Sequence, residues 1–500
     1  MRKYFLLILT LILLLSMLPL GASADGIAAD ISGKEIVTAS EGFDAIDSLF
    51  DGKLLAGKKT ADTASLTLES AEGIGSLYFI FGAEYGAYTV TDNATGESRT
   101  LGENRFLHEF VDLTVLFGTA PKSVTVSFTN GAADIYELYI FTPGQVPDFV
   151  QKWEAPADGK TDLVLFSTHG DDEQLFFAGV LPYYAGELGY QVQVVYFTDH
   201  RKDTNVRIHE MLDGLWTVGV TAYPVFGEHD DFLRWNSLAG TYAEYLKRGY
   251  TRDELLGFVV EQVRRFKPLV AVGHDLKGEY SHGMHMVYAD LLTEAVRIAS
   301  DPAYFPELAE QYGVWDTPKT YLHLYEENPI VMDWDRPLEA FDGMTAYQVS
   351  RDLGFACHKS QRPNFSWYFH GADTAAKVKE YNPCYFGLYR STVGEDVQKN
   401  DFFENVTTYA EQDRQEAERL KAEEEARLAA EAAAREEAER ASEEAARQEA
   451  TQTPPETGPQ PAAPEGVHDK KFAVAVVAFA IASILLIVVL ILRRKPGKSK

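Results

Sequence analysis

Leu163-Val164-Leu165-Phe166-Ser167-Thr168-His169-Gly170-Asp171-Asp172-Glu173 is the stretch on which the reading of this chain turns. Four successive apolar residues have the length and composition of a strand buried on both faces. They run directly into a histidine and three acids. Groups this polar at the end of a buried strand are costly to desolvate, which points to a metal site. A solvated turn, or a helix N-terminus that favours carboxylates, would account for the acids alone. A later stretch of the chain decides between these readings.

Outward from this stretch, apolar runs at 163–166, 192–197, 223–226, 269–273 and 321–324 alternate with helical patterns at 173–188, 205–218, 252–266 and 286–299. Such alternation predicts an α/β, Rossmann-like domain over 161–400, with a parallel sheet covered on both faces. Ligands in such folds bind at the carboxyl ends of strands, where 169–173 lies.

The preceding segment, 25–143, reads as all-β. Short runs such as Leu77-Tyr78-Phe79-Ile80-Phe81 and Val124-Thr125-Val126-Ser127-Phe128 are separated by Gly, Asn and Asp turn signals, the pattern of a β-sandwich. Ser48-Leu49-Phe50-Asp51-Gly52 early and 135–141 at the close resemble discoidin-type and jelly-roll carbohydrate-binding modules. A sugar-binding sandwich and a plain spacer sandwich both remain open. Residues 144–160, rich in Pro, Gly and charge, read as a linker.

Residues 1–24 combine Arg2 and Lys3, an apolar run and Ala22-Ser23-Ala24, which is the pattern of a secretory signal peptide. Residues 409–452 are rich in Ala, Glu and Arg with no apolar heptad seam, which predicts a solvated helical stalk rather than a stable coiled coil. A Pro-rich spacer occupies 453–470. It contains Pro455-Glu456-Thr457-Gly458, similar to a cell-wall sorting signal but preceded by Pro454 instead of leucine. An uncharged run, 472–492, is long enough for one transmembrane helix and is followed by a basic tail at 493–500. The expected protein is therefore secreted and held at the cell surface by one C-terminal membrane helix, its bulk facing outward.

A formal charge of −29 argues against nucleic acid as a partner, because no basic surface would neutralise phosphates. Protein partners are not legible. Cys357 and Cys384 are the only two cysteines, open to a disulfide or to two buried thiols.

The deciding stretch is Gly278-Glu279-Tyr280-Ser281-His282-Gly283-Met284-His285, which follows the run 269–273 and precedes a helical pattern. Two histidines three apart at a helix start can face one cavity. Joined to His169 and Asp172 from another strand end, they supply nitrogen and oxygen ligands and leave a position open for water, as catalytic zinc requires.

His169-x-Asp171-Asp172-Glu173 with His282-x-x-His285, over roughly 161–395, resembles the PIG-L/LmbE family of zinc-dependent N-deacetylases. The resemblance implies Zn2+ held by His169, Asp172 and His285, with Asp171 as general base. It implies that protonated His282 stabilises the oxyanion or protonates the leaving amine, and that Tyr280 polarises the amide carbonyl. Arg207, in Arg207-x-x-Glu210, and Asp231, beside Asp230, are the expected substrate contacts, with a salt pair and a solvated loop as the ordinary readings. Glu173 is expected to cap a helix or orient a ligand histidine. His358-Lys359-Ser360-Gln361 resembles a late motif that packs near the site. His200, His209, His229, His274 and His370 are read as surface or satisfied histidines, His274 being the least secure of them.

Two departures stand out: Gly170 where the family has Pro, and Met284 where it commonly has an aspartate that sets the charge of the neighbouring histidine. The implied activity is deacetylation of an N-acetylglucosamine-type sugar or glycan. The alternatives are a glycan-binding surface protein with a degenerate catalytic domain, and hydrolysis of another amide by the same residues.

Overall fold

The computed structural model describes residues 26–450 apart from 44–45, 55–57, 203–204, 233–234, 366 and 370. The signal peptide, Pro-rich spacer, membrane span, basic tail and His370 of the sequence reading lie outside the described residues. Among those described, no helix is long and apolar enough to cross a membrane. By its contacts the chain divides into two compact units, Met1–Ala417 and Glu418–Lys500.

Nine strands open the first unit: β1 (Val37–Ala39), β2 (Lys58–Lys59), β3 (Ser65–Glu69), β4 (Ser76–Phe81), β5 (Tyr88–Asp92), β6 (Ser98–Leu101), β7 (His108–Asp112), β8 (Ser123–Ser127) and β9 (Asp134–Phe141). They form two antiparallel sheets, ordered β1-β3-β8-β5-β6 and β2-β9-β4-β7. In β3 and β8 buried and half-buried residues alternate, so Leu66, Leu68, Val124 and Val126 enter a shared core. β4 is buried along its whole length, because its second face is covered as well.

The segment 144–160, read as a linker, packs against the body: Val146, Val150 and Trp153 are buried, and Glu154 bridges to Ala222.

The second layer is a seven-stranded sheet of β10 (Leu163–Ser167), β11 (Val192–Thr198), β12 (Val225–His229), β13 (Val270–Gly273), β14 (Lys319–His323), β15 (Pro329–Val331) and β16 (Tyr385–Ser391). Its order is β12-β11-β10-β13-β14-β16-β15. The first five pair in parallel, as expected, but β16 and β15 join antiparallel and make the sheet mixed. In β10, Leu163 and Leu165 face one core while Val164 and Phe166 face another. The second core is covered by helices α2 (Leu238–Lys247), α3 (Arg252–Phe266) and α4 (Gly283–Ile298). The first is covered by α1 (Asn205–Thr217) and by residues 175–185. Each β10 side chain is therefore buried, as its unbroken apolar run requires.

The helix expected over 173–188 does not form as such. Residues 170–179 are a succession of turns, followed by a π-helical stretch at Pro182–Glu187. π-Turns are rare and concentrate near functional sites.

Cys357 and Cys384 are free thiols. Helix α5 (Tyr409–Ala450) lies within the stretch read as a solvated helical stalk. At its start the Tyr409 N–H donates to Asp162 Oδ1 at 2.8 Å. Over residues 418–448 it is exposed along its length and laced by local ion pairs such as Arg419–Glu423 and Arg427–Glu424.

Candidate functional site

All five parallel strands deliver a polar residue at their carboxyl ends: His169 after β10, His200 after β11, Asp231 after β12, His274 after β13, and His323 as the last residue of β14. The α4 start adds His282 as its N-cap and His285 in its first turn. Before it, Tyr280 and Ser281 hold φ of 43° and 59°, a left-handed pair of non-glycine residues. Each such residue costs on the order of 1–3 kcal/mol and persists where the surrounding structure enforces it.

His169, Asp172 and His285 converge. His169 Nδ1 lies 3.2 Å from Asp172 Oδ2 and 3.1 Å from His285 Nε2, and the third side, His285 Nε2 to Asp172 Oδ2, is 3.3 Å. A tetrahedral ion with bonds of about 2.0–2.1 Å needs ligand–ligand edges of about 3.3–3.4 Å, so the triangle fits zinc. Asp172 also accepts the His169 backbone N–H at 2.9 Å, which fixes its carboxylate toward the other two ligands.

The electrostatics agree. Burial alone would lower both histidines, but Asp231 and Asp172 lift His169 to about 10, and Asp172 with Glu279 lifts His285 to about 9. Against burial, the same histidines hold Asp172 well below the usual carboxylate range. The pocket is built to hold positive charge.

His274 occupies a different place. It is fully buried, and Asp172, His274 and His285 form a second close group. The Thr168 backbone N–H, however, donates to His274 Nε2 at 3.0 Å, which commits that lone pair. Its Nδ1–H therefore points to Glu279 Oε2 at 2.9 Å. His274 is thus a satisfied histidine that braces the site.

Glu279 has no role in the sequence reading, and it proves central. Its Oε2 also faces His285 Nδ1 at 2.8 Å, and its Oε1 faces His323 Nδ1 at 2.7 Å and the Asp275 N–H at 3.2 Å. Donation from His285 Nδ1–H leaves the Nε2 lone pair turned toward His169 and Asp172. Despite complete burial, these histidines keep the carboxylate well below its usual range. A glutamate one residue before a motif tyrosine gave no local signal, and His323 lies in an ordinary apolar run.

The remaining expected residues divide. Asp171 is buried, its Oδ2 has no hydrogen-bond partner among the described residues, and burial pushes its pKa up to about 6 against the pull of Arg207. Both ring nitrogens of His282 are buried without hydrogen-bond partners among the described residues, and the ring lies 4.9 Å from that of His169 and 4.8 Å from that of His285. Burial, then His285 and His169, drives its pKa down to about 2. Tyr280 borders it, with ring centroids 5.3 Å apart.

Arg207 donates from Nη2 to the Gly170 carbonyl at 3.2 Å and lies 3.8 Å from Asp171 Oδ1, which sets it against the loop that carries Asp171. Its helix neighbour Glu210 binds the Ser360 N–H at 3.0 Å. Asp231, expected on substrate, sits 3.5 Å from His169 Nε2, on the far side of that ring from the triangle. Such a carboxylate behind a ligand histidine fixes the ring and raises its basicity. Glu173 neither caps a regular helix nor touches a ligand histidine in the described contacts, and its Oε1 lies 3.2 Å from His358 Nε2. That contact ties the His358 motif to the turn that carries Asp171 and Asp172.

The two departures have structural reasons. The Gly170 N–H donates to His200 Nε2 at 2.9 Å, a bond proline cannot make, and a Cβ there would meet Met211 at 2.3 Å. Met284 is fully buried in the second core, its Sδ accepting the Phe232 N–H at 3.3 Å.

No protein-family model matches the chain. It is 28% identical over 241 residues to the 1D-myo-inositol 2-acetamido-2-deoxy-alpha-D-glucopyranoside deacetylase of Mycobacterium leprae, covering 43% of this chain and 73% of that protein. It is 28% identical over 180 residues to the Geodermatophilus obscurus protein of the same name, covering 32% of this chain. The chain spans 60% of the length of that second relative. Among solved structures, N,N'-diacetylchitobiose deacetylase from Pyrococcus horikoshii aligns with 14% identity and a TM-score of 0.30, covering 46% of this chain and 84% of that one. The His169–Asp172–His285 triangle, the Asp171 beside it and the two curated deacetylase relatives fit a PIG-L/LmbE-like deacetylase family.

Proposed function

We propose that the site hydrolyses the N-acetyl group of an N-acetylglucosamine-type sugar, with Zn2+ held by His169, Asp172 and His285. The observation that carries this reading is the triangle of ligand atoms with edges of 3.1, 3.2 and 3.3 Å. The bound ion would supply Lewis acidity, lowering the pKa of a water and polarising the amide carbonyl.

The protein's own residues do the rest. Asp171 takes the proton of the attacking water at Oδ2, the oxygen without a hydrogen-bond partner among the described residues. A base near 6 is poised to accept that proton and then release it. His282 offers an N–H to the oxygen on which negative charge develops, and the Tyr280 hydroxyl joins it there. Asp171 then passes that proton to the leaving amine. One carboxyl thereby serves as base and then acid. Arg207 steadies the loop that carries Asp171, and Asp231 steadies His169.

The degenerate-domain alternative rests on Met284 and the N-terminal sandwich; Met284 packs in the second core, which accounts for an apolar residue there without a loss of catalysis. The signal-peptide and membrane-span patterns support placing this chemistry outside the cell, tethered by one C-terminal helix.

The test is zinc content together with acetate release by the full chain on a panel of N-acetylated amino sugars and other amides. Stoichiometric zinc and release from an N-acetylglucosamine compound, lost in Asp171→Asn with metal retained, is the expected result. Failure to bind zinc stoichiometrically would overturn the reading.

A further inference from the structure

Away from this site, a cavity of about 570 Å³ lies where the outer face of the β2-β9-β4-β7 sheet meets α1. Its size is that of a small-molecule site. Its floor follows from strand alternation. Glu137 and Tyr139, two apart on β9, share a face, and Tyr139 pairs in register with Tyr78 of β4, their rings 6.0 Å apart. Phe149, half exposed, packs edge-on to Tyr139 at 5.2 Å. From the opposite wall α1 contributes Asp213 and Trp216.

The chemistry of the lining is uneven. Among the described lining residues there are carboxylates but no lysine or arginine. Asp213 Oδ1 accepts from Gln151 Nε2 at 2.6 Å, and Glu137 Oε1 accepts the Lys53 N–H at 2.8 Å; the charge of Lys359 also acts on Asp213, and the Asp51 carboxyl lies beside Glu137. Burial lifts Asp213 to about 6 and Glu137 to about 7. A seam needed only for packing would be filled by aliphatic side chains. Two carboxyls kept in an aromatic cavity at a cost in solvation mark a binding site for a cation. Aromatic faces add attraction for an ammonium and contact surface for an apolar ring face.

We propose that this cavity binds an amino sugar, its primary ammonium and hydroxyls taken up by Asp213 and Glu137 and its ring seated among Tyr139, Phe149 and Trp216. The inference concerns a second site and does not rest on the deacetylase reading.

The full chain is titrated with D-glucosamine, N-acetyl-D-glucosamine, D-glucose and putrescine, followed calorimetrically and by tryptophan fluorescence. Glucosamine is expected to bind about tenfold or more tighter than either neutral sugar or the ringless diamine. Asp213→Asn and Glu137→Gln should each weaken it by at least a similar factor, and Trp216→Ala should do so too. Both carboxamide variants remove a carboxyl whose ionisation desolvation disfavours, so they should fold at least as stably as wild type. His285→Ala, altering only the other site, should bind glucosamine unchanged. Equal affinity for glucose and glucosamine overturns the proposal, as does putrescine binding as tightly as glucosamine. So does glucosamine binding that survives both carboxamide changes or vanishes in His285→Ala, or the absence of saturable binding by any of the four.

Discussion

Glu279→Gln is the sharpest single perturbation of the site. The carboxylate faces His274 and His285 through one oxygen, at 2.9 and 2.8 Å, and His323 and the Asp275 N–H through the other, at 2.7 and 3.2 Å. Glutamine replaces one of these oxygens with an NH2 group that donates. If the NH2 takes the Oε2 place, it opposes two imidazole N–H groups. His274 cannot change tautomer without losing the Thr168 N–H bond. His285 can do so only by moving its proton to Nε2, the atom that faces His169 and Asp172. If the NH2 takes the other place, the Asp275 N–H loses its acceptor, and His323, whose Nε2 donates to the Asn382 carbonyl at 3.1 Å, is confined to the neutral form with its Nδ1 lone pair facing the NH2. Removing one partner of a buried charged network costs about 3–5 kcal/mol of stability. Changing such a supporting carboxylate lowers metal affinity by roughly 10–100-fold. Competition against a chromophoric chelator measures the second effect and thermal unfolding of the metal-free chain the first. Zinc affinity within about twofold of wild type, in a variant that folds, would refute the role assigned to Glu279.

Asp171→Asn should retain stoichiometric zinc and lose roughly 100-fold or more in turnover, checked by metal analysis beside acetate release. Chelation of the metal should lower the melting temperature of wild type and leave that of His285→Ala unmoved, because only the former has an ion to lose. Met284→Asp puts a carboxylate into a packed core; a loss of about 3 kcal/mol or more with no gain in turnover is expected, and a faster, equally stable variant would contradict the packing role. Glu109 supplies a pH dependence: burial raises its pKa from 4.5 to about 7 in the folded chain. The folded state then holds a proton that the unfolded chain has released. Stability from this group is full below pH ~4.5 and is lost as pH rises through ~7, by on the order of 3 kcal/mol. Glu109→Gln should abolish that slope in denaturant titrations and unfold later than wild type at pH ~8.

The α/β reading of 161–400 was legible because buried parallel strands leave unbroken apolar runs and their helices leave a 3.6-residue period. Strand ends could therefore be located, and with them His169, Asp172, His282 and His285. The antiparallel β16 and β15 were not legible, since they follow the alternation instead of continuing it. The turns over 170–179 defeated the helical pattern because the loop is shaped from outside its own sequence. His200 holds the Gly170 N–H and Arg207 holds the Gly170 carbonyl.

What the sequence alone determined was which residues stand at strand ends and helix starts, because that placement follows from local periodicity. Only the tertiary structure decided what each ring nitrogen faces. His274 stands at a strand end like His169, yet one is braced by a backbone N–H and the other points into the triangle. The acid that orients His285 is Glu279, which also gathers His323, 44 positions along the chain. Such assignments depend on the approach of loops distant in sequence, and a buried donor or acceptor has its role set by whichever group reaches it first.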